Sequence, residues 1–434
     1  MYKLKLFLLL ALTSCLFFSV QAQLSSQEKK VVAYIDERMA SSIDLLKESA
    51  NINSGTLNSE GVKKVGAVYA RELEKAGFMC TWVPMPDSIK RAGHLVAERK
   101  GKKGKKLFLI GHLDTVFEPD MPFTPFTLID DSTATGQGVN DMKGGDVIIV
   151  KALQALHQFG LLEDVTITAY FTGDEEWAGS PITVTRGDFI ERAKKSDIAL
   201  GFEGATGLNV VATARRGASG WTLEVNSATG HSSGIFSPRV GFGAIYEAAR
   251  IINEFRLALS SEQYLTFNPG LIVGGSEMQY DPNQSVGSAI GKDNIISPRV
   301  VVTGDLRFLS EVQKENARAK MREIVSNNLT GTTAKISFED GIPSMEPTAG
   351  NAKILDVIDG ISSSLGQGKT VAGNPGARGA GDISYIAAYV DCVDGLGATG
   401  SGAHAPGEKI KLNDLPYLIK RAALLIYRLT SSAD

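Results

Sequence analysis

Along the chain, apolar residues first recur at helical spacing. Between residues 31 and 76, Ile43 and Leu46, then Val62, Val65, Tyr69 and Leu73, stand three or four apart, and Gly77 closes the second of two predicted helices. Short apolar runs at 94–98 and 106–111 read as strands. Between them lies a basic stretch, 99–106, in which Gly101 and Gly104 predict a solvated, hairpin-like turn. A buried helix face follows over 142–159, carried by Val147, Val150, Leu153 and Leu156, and then two more apolar strands at 165–172 and 198–202. Strands that are apolar nearly throughout and alternate with helices predict an α/β architecture: a mostly parallel sheet covered on both faces. Ligands of such sheets bind beyond the carboxyl ends of the strands.

Beyond residue 214 the pattern changes. Residues 219–227 alternate as a half-buried strand, 240–259 form an amphipathic helix, 264–274 and 299–309 are strands, 310–327 is a second helix and 333–340 a last strand. This β-α-β-β-α-β order predicts a ferredoxin-like unit over 214–341. It is inserted into an α/β domain made of 23–213 and 342–434, which resumes with a helix at 354–365, a strand at 389–393 and a terminal helix at 415–429.

The 434 residues, 43% hydrophobic and 21% charged, exceed what one core holds and exclude disordered and fibrous classes. With 45 basic against 48 acidic residues the net charge is -3, which leaves no electrostatic footprint for nucleic acid. Lys3 and Lys5 precede an uncharged apolar run from 6 to 20, and Val20-Gln21-Ala22 is a small-x-small cleavage site. Residues 1–22 therefore read as a signal peptide, and the protein as periplasmic or secreted. Leu12-Thr13-Ser14-Cys15 offers the alternative of a lipid anchor at Cys15. No later stretch reaches 18 apolar residues, so no further segment is expected to span a membrane. Cys80 and Cys392, the cysteines beyond the leader, allow one disulfide but no disulfide scaffold.

Three of the predicted parallel strands end in acidic or imidazole side chains: Gly111-His112-Leu113-Asp114, Gly173-Asp174-Glu175-Glu176 and Gly201-Phe202-Glu203. His112 and Asp114, two apart, share a face of an extended chain, and a carboxylate beside an imidazole fixes its tautomer and aims the other nitrogen at a metal. Asp141, among the glycines of Gly138 to Gly145, is either a ligand or the cap of the following helix. Adjacent Glu175 and Glu176 repel unless a cation separates their tasks, one ligating while the other acts as general base. His404 sits in the glycine-rich loop 400–408. Two His, one Asp and two Glu without cysteine form an N/O set suited to zinc, with manganese or cobalt as substitutes. Five ligands are too many for one open catalytic ion and suit a pair, with Asp141 bridging and each ion completed by one imidazole and one carboxylate. His94 and His157 read as packing or surface residues.

The motifs Gly111 to Val116, Gly138 to Gly145, Gly173 to Glu176 and Ala403-His404-Ala405-Pro406 strongly resemble the glutamate carboxypeptidase, aminoacylase and desuccinylase family of two-zinc metallopeptidases, in particular its exported members. The resemblance covers essentially the whole chain after the leader. It implies that His112 and Glu203 hold one zinc and Glu176 and His404 the other, that Asp141 bridges, that Asp114 orients His112 and that Glu175 is the general base. It also implies that the inserted unit is a dimerisation or lid domain, giving a homodimer. There His231 reaches a neighbouring active site to steady the oxyanion, and Asn294 and Arg307 bind the substrate carboxylate. The glutamate-specific pattern carries an arginine after the last lid strand, where this chain reads Gly341-Ile342-Pro343; Arg378 is the candidate replacement. The implied activity is hydrolysis of an amide bond next to a free carboxylate in a small peptide or N-acyl amino acid, carboxypeptidase-like in releasing a C-terminal residue such as glutamate. An N-acyl amino acid deacylase or dipeptidase is the alternative among enzymes. A peptide-binding protein without turnover is the alternative from another class; such relatives are expected to lack part of the ligand set, and here all of it is present.

Overall fold

The computed structural model describes residues 23–377 and 379–431; the leader with Cys15, and Arg378, lie outside the described residues. Three N-terminal helices, Ser26–Glu37, Met39–Ala50 and Ser59–Lys75, stand where the sequence predicts two. All three bury their apolar stripe in one core, so the spacing runs on across the breaks. The first is started by a capping box in which Glu28 N–H donates to Ser25 Oγ at 3.2 Å and Ser25 N–H to Glu28 Oε2 at 2.7 Å.

The central sheet has six strands in the order Met79–Val83, His94–Arg99, Val165–Thr172, Lys103–His112, Ile198–Gly201, Asp391–Val393. The last four are parallel and the first two antiparallel to their neighbours. This corrects the expected hairpin: His94–Arg99 and Lys103–His112 do not pair, because Val165–Thr172 lies between them. The buried helix Lys143–Gln158 carries the chain across to place that strand parallel to Lys103–His112, as a βαβ crossover does. Leu107 and Leu109 enter one core while Phe108 and Ile110 enter another, so one strand feeds the packing on both faces of the sheet. Cys80 and Cys392 are free, and they lie on opposite edge strands, which rules out the one disulfide the sequence allowed.

The inserted unit is a four-stranded antiparallel sheet in the order Thr266–Gly275, Arg299–Phe308, Gly217–Ser227, Thr332–Asp340. Helices Gly243–Leu259 and Glu311–Ser326 share a core with Val300, Val302, Leu306 and Phe308 on one face. A hairpin, Glu277–Asp281 with Val286–Ile290, was not anticipated; its strands are five residues each and none of their residues is fully buried. The two connections to the central domain pair with each other, Arg215 and Met345 exchanging backbone hydrogen bonds of 2.9 and 3.0 Å.

One surface network gives a stability prediction. Burial alone would raise the Glu72 carboxyl, but hydrogen bonds from Lys75 (2.7 Å), Gln154 (2.9 Å) and Arg71 (3.0 Å) outweigh it and hold it at about 2. A carboxyl depressed in the folded state stabilises the fold above its unfolded pKa, and that contribution is lost as pH falls through the folded value. Glu72→Gln should lower stability at pH 7 by about 1 kcal/mol, a figure reduced for solvent screening. Denaturant unfolding should show the difference closing between about pH 4.5 and pH 2.

Candidate metal centre and active site

The acidic and imidazole residues gather at the carboxyl edge of the central sheet. His112 closes the strand Lys103–His112, Glu175 and Glu176 follow Val165–Thr172, and Glu203 follows Ile198–Gly201. These strands are parallel neighbours, His112 pairing with Thr172 and Ile110 with Gly201, so their ends converge. Asp141 enters from the loop ahead of helix Lys143–Gln158, and His404 from the loop between Gly400–Ser401 and Lys409–Lys411. That helix starts without a side-chain cap, so the Asp141 carboxylate is not spent on capping it.

Asp141 stands between the two imidazoles. Its Oδ1 is 3.3 Å from His112 Nε2 and its Oδ2 3.1 Å from His404 Nε2. Each imidazole nitrogen has a second carboxylate: Glu203 Oε1 at 3.5 Å for His112, Glu176 Oε2 at 3.1 Å for His404. Potential ligand atoms of His112, Glu175 and Glu203 lie within 4.8 Å of one another, as do those of His112, Asp141 and Glu176. His112 Nδ1 is nearer the Asp114 carbonyl (3.0 Å) than its carboxylate (3.5 Å). The Asp114 carboxylate instead accepts the backbone N–H groups of Glu175 and Glu176, at 3.0 and 3.1 Å, and the Thr56 hydroxyl at 2.7 Å. Asp114 thereby ties the acid pair to the strand end that carries His112.

The electrostatics are those of a site short of positive charge. Burial and the Asp141 charge push the Glu203 carboxyl up to about 8, and burial with the Glu203 charge pushes Glu175 well above the usual carboxylate range. Hydrogen bonds to Asp141 and Glu176 push His404 up to about 11. Glu176 Oε1 is buried with no hydrogen-bond partner among the described residues. Protons relieve the carboxylate excess in the protein alone; divalent cations would relieve it better, and the donor set fits ions of the zinc type.

Several supporting residues escaped the sequence reading. Fully buried Arg186 donates to Asp174 Oδ1 at 2.6 Å and to Asp382 Oδ1 at 2.7 Å, and Asp382 Oδ2 accepts from Thr172 Oγ1 at 2.6 Å. His94 is buried, its Nδ1 accepting the Gly173 N–H at 3.1 Å, which fixes the backbone just ahead of the acid pair. Apart from Asp174 standing next to Glu175, these partners are far apart in the chain and leave no local pattern. His157 is exposed.

The substrate-binding candidates of the inserted unit are not gathered at one place. His231 and Asn294 are neighbours: Ser232 N–H donates to the Asn294 carbonyl and Ile296 N–H to that of Gly230, both at 2.9 Å. The His231 ring is exposed and faces Ser233 Oγ at 2.9 Å. Arg307 lies at the opposite end of the strand Arg299–Phe308, ion-paired to Asp305 at 2.9 Å. At about 3.3 Å per residue, Arg299 to Arg307 alone spans roughly 26 Å. Among the described residues none of the three is hydrogen-bonded to the imidazole–carboxylate cluster, and Arg378 lies outside them.

The profile of Peptidase family M20/M25/M40 matches residues 108–428. Carboxypeptidase G2 of Pseudomonas sp. (strain RS-16) is 25% identical over 394 residues, 88% of each chain. A succinyl-diaminopimelate desuccinylase of Magnetococcus marinus is 26% identical over 380 residues, 83% of this chain and 91% of that one. Among solved structures, the aminopeptidase PepT of Bacillus cereus superposes with a TM-score of 0.73 at 17% identity, over 90% of this chain and 98% of that one, and so shares the fold.

Proposed function

From the membership of this chain in peptidase family M20/M25/M40, we propose that it is a two-metal hydrolase cleaving an amide bond next to a free carboxylate. The observation that carries this reading is the Asp141 carboxylate with one oxygen on each imidazole, each imidazole completed by its own glutamate. His112 and Glu203 would hold one ion, His404 and Glu176 the other, and Asp141 both. Bound there, a pair of zinc ions, or cobalt or manganese in their place, would supply Lewis-acid polarisation of the scissile carbonyl and of water.

The remaining steps belong to the chain. Glu175 takes the proton of the attacking water at its carboxylate and delivers it to the leaving amine. Asp114 holds the Glu175 backbone and the His112 ring in register. His231 donates a hydrogen bond to the developing oxyanion, and it does so from a second copy, because in its own chain it sits at the end of the lid sheet remote from the connections at Arg215 and Met345. The homodimer is supported by an exposed aromatic cluster beside His231: Phe236, 56% exposed, meets Phe242 and Tyr246 with ring centroids 5.4 Å apart. Asn294 travels with His231, whereas Arg307 reads the substrate carboxylate from the lid of the same chain that holds the substrate. The pattern of residues 1–22 supports an exported enzyme.

A carboxypeptidase releasing glutamate is the first reading, and one observation favours the deacylase or dipeptidase alternative. The segment 341–343 packs on the first lid strand, the Ala218 N–H donating to the Ile342 carbonyl at 2.8 Å, and brings no cation there. A panel of N-acyl amino acids, dipeptides and folate-like glutamates, each with a free or an amidated carboxylate, decides between them. Chelator-treated enzyme should lose activity and regain it with two equivalents of zinc, and amidated substrates should react at least tenfold more slowly. Equal rates on free and amidated substrates would show that the carboxylate is not read.

A further inference from the structure

Glu408, four residues after His404, is 1% exposed, and its carboxylate is directed at the other ligand loop. Its Oε1 accepts the backbone N–H groups of Asn140 (2.7 Å) and Asp141 (2.8 Å), and its Oε2 that of Gly138 (2.8 Å). Its backbone carbonyl accepts Thr135 Oγ1 at 2.7 Å. The loop so held is pliable by composition: Gly138 has φ +74, in the left-handed region that favours glycine, where the carbon of any side chain would stand 2.6 Å from Thr115 Cγ2. The loop's own backbone bond, Lys143 N–H to the Gly138 carbonyl at 2.8 Å, closes the turn around Asp141, and the three bonds to Glu408 anchor that turn to the loop of His404. We propose that Glu408 is the positioning residue for the bridging carboxylate: it docks the loop of Asp141 onto the loop of His404, so that one oxygen of Asp141 meets each imidazole and two ions can be held together. This rests on the two-metal reading above.

The geometry requires an acceptor at both oxygens: three N–H donors converge on them, and a glutamine would turn an NH2 donor toward at least one of those donors. Partners that orient metal ligands without touching the metal typically change affinity by roughly 10- to 100-fold when lost. In full-length Glu408→Gln, the second zinc should therefore bind roughly 10- to 100-fold more weakly by chelator competition, while the first is retained. Turnover at limiting zinc should fall through kcat with KM unchanged, and excess zinc should restore it, a response that mere loss of stability does not give. Glu247→Gln, which alters an equally buried carboxylate in the inserted unit, serves as the control and should leave both affinities unchanged. If Glu408→Gln does not fold, Glu408→Asp, charged but one methylene short of the three amides, carries the same test. Wild-type affinity for both ions in the variant that folds overturns the proposal. An unmodified enzyme that binds only one ion overturns the two-metal reading itself, which separates the two failures.

Discussion

Glu175→Gln is expected to abolish turnover while the protein still binds two metal ions per chain. The side chain lies within 4.8 Å of His112 and Glu203, close enough to serve a water at the site, but the two oxygens of Asp141 and one from each of Glu203 and Glu176 already face the imidazoles. The amide is nearly isosteric, so the Asp114 bond to the Glu175 backbone N–H survives. What disappears is a carboxylate able to take and return a proton, worth at least about 10²-fold in kcat. Metal analysis beside steady-state kinetics checks both halves. Wild-type turnover in the variant would remove Glu175 from the mechanism, and loss of a metal would make it a ligand.

His231→Ala is expected to be nearly as damaging, by roughly 10²- to 10³-fold, as for the loss of one oxyanion donor. The more telling experiment mixes it with Glu175→Gln. Each homodimer is inactive for a different reason, but in a mixed dimer the chain with intact Glu175 receives His231 from its partner. With random exchange half the dimers are mixed and each has one working site, so activity should return to about a quarter of wild type. No recovery after demonstrated subunit exchange would place His231 in its own chain's site, or outside catalysis.

Much of the fold was legible because its signals are local. The apolar strands at 106–111 and 165–172, the helix face of Val147, Val150 and Leu153, and the β-α-β-β-α-β order of the inserted unit all depend on residues close in sequence. The hairpin after Thr266–Gly275 was missed because its strands are five residues each with none fully buried, so the alternation of Met278 and Tyr280 with exposed Glu277 and Gln279 is too short to stand out. The turn at Gly101 and Gly104 was misjudged for a different reason. Glycines mark where a chain bends, but which strand fills the neighbouring place is set by the helix crossover and by the two cores that the strand must feed.

The same division holds at the site. The inventory, two imidazoles and a run of carboxylates at the ends of apolar strands, is written locally, because strand period and residue chemistry are properties of a few consecutive positions. Which group faces which is set by the packing of distant segments: Asp141 divides its oxygens between His112 and His404, Asp114 holds the acid pair as well as the imidazole, and His231 and Arg307 lie at opposite ends of one sheet. Glu408 and Arg186 belong to the same class. A buried carboxylate or guanidinium must find partners once water is excluded, and those partners come from segments up to 270 residues away, a distance no local pattern encodes.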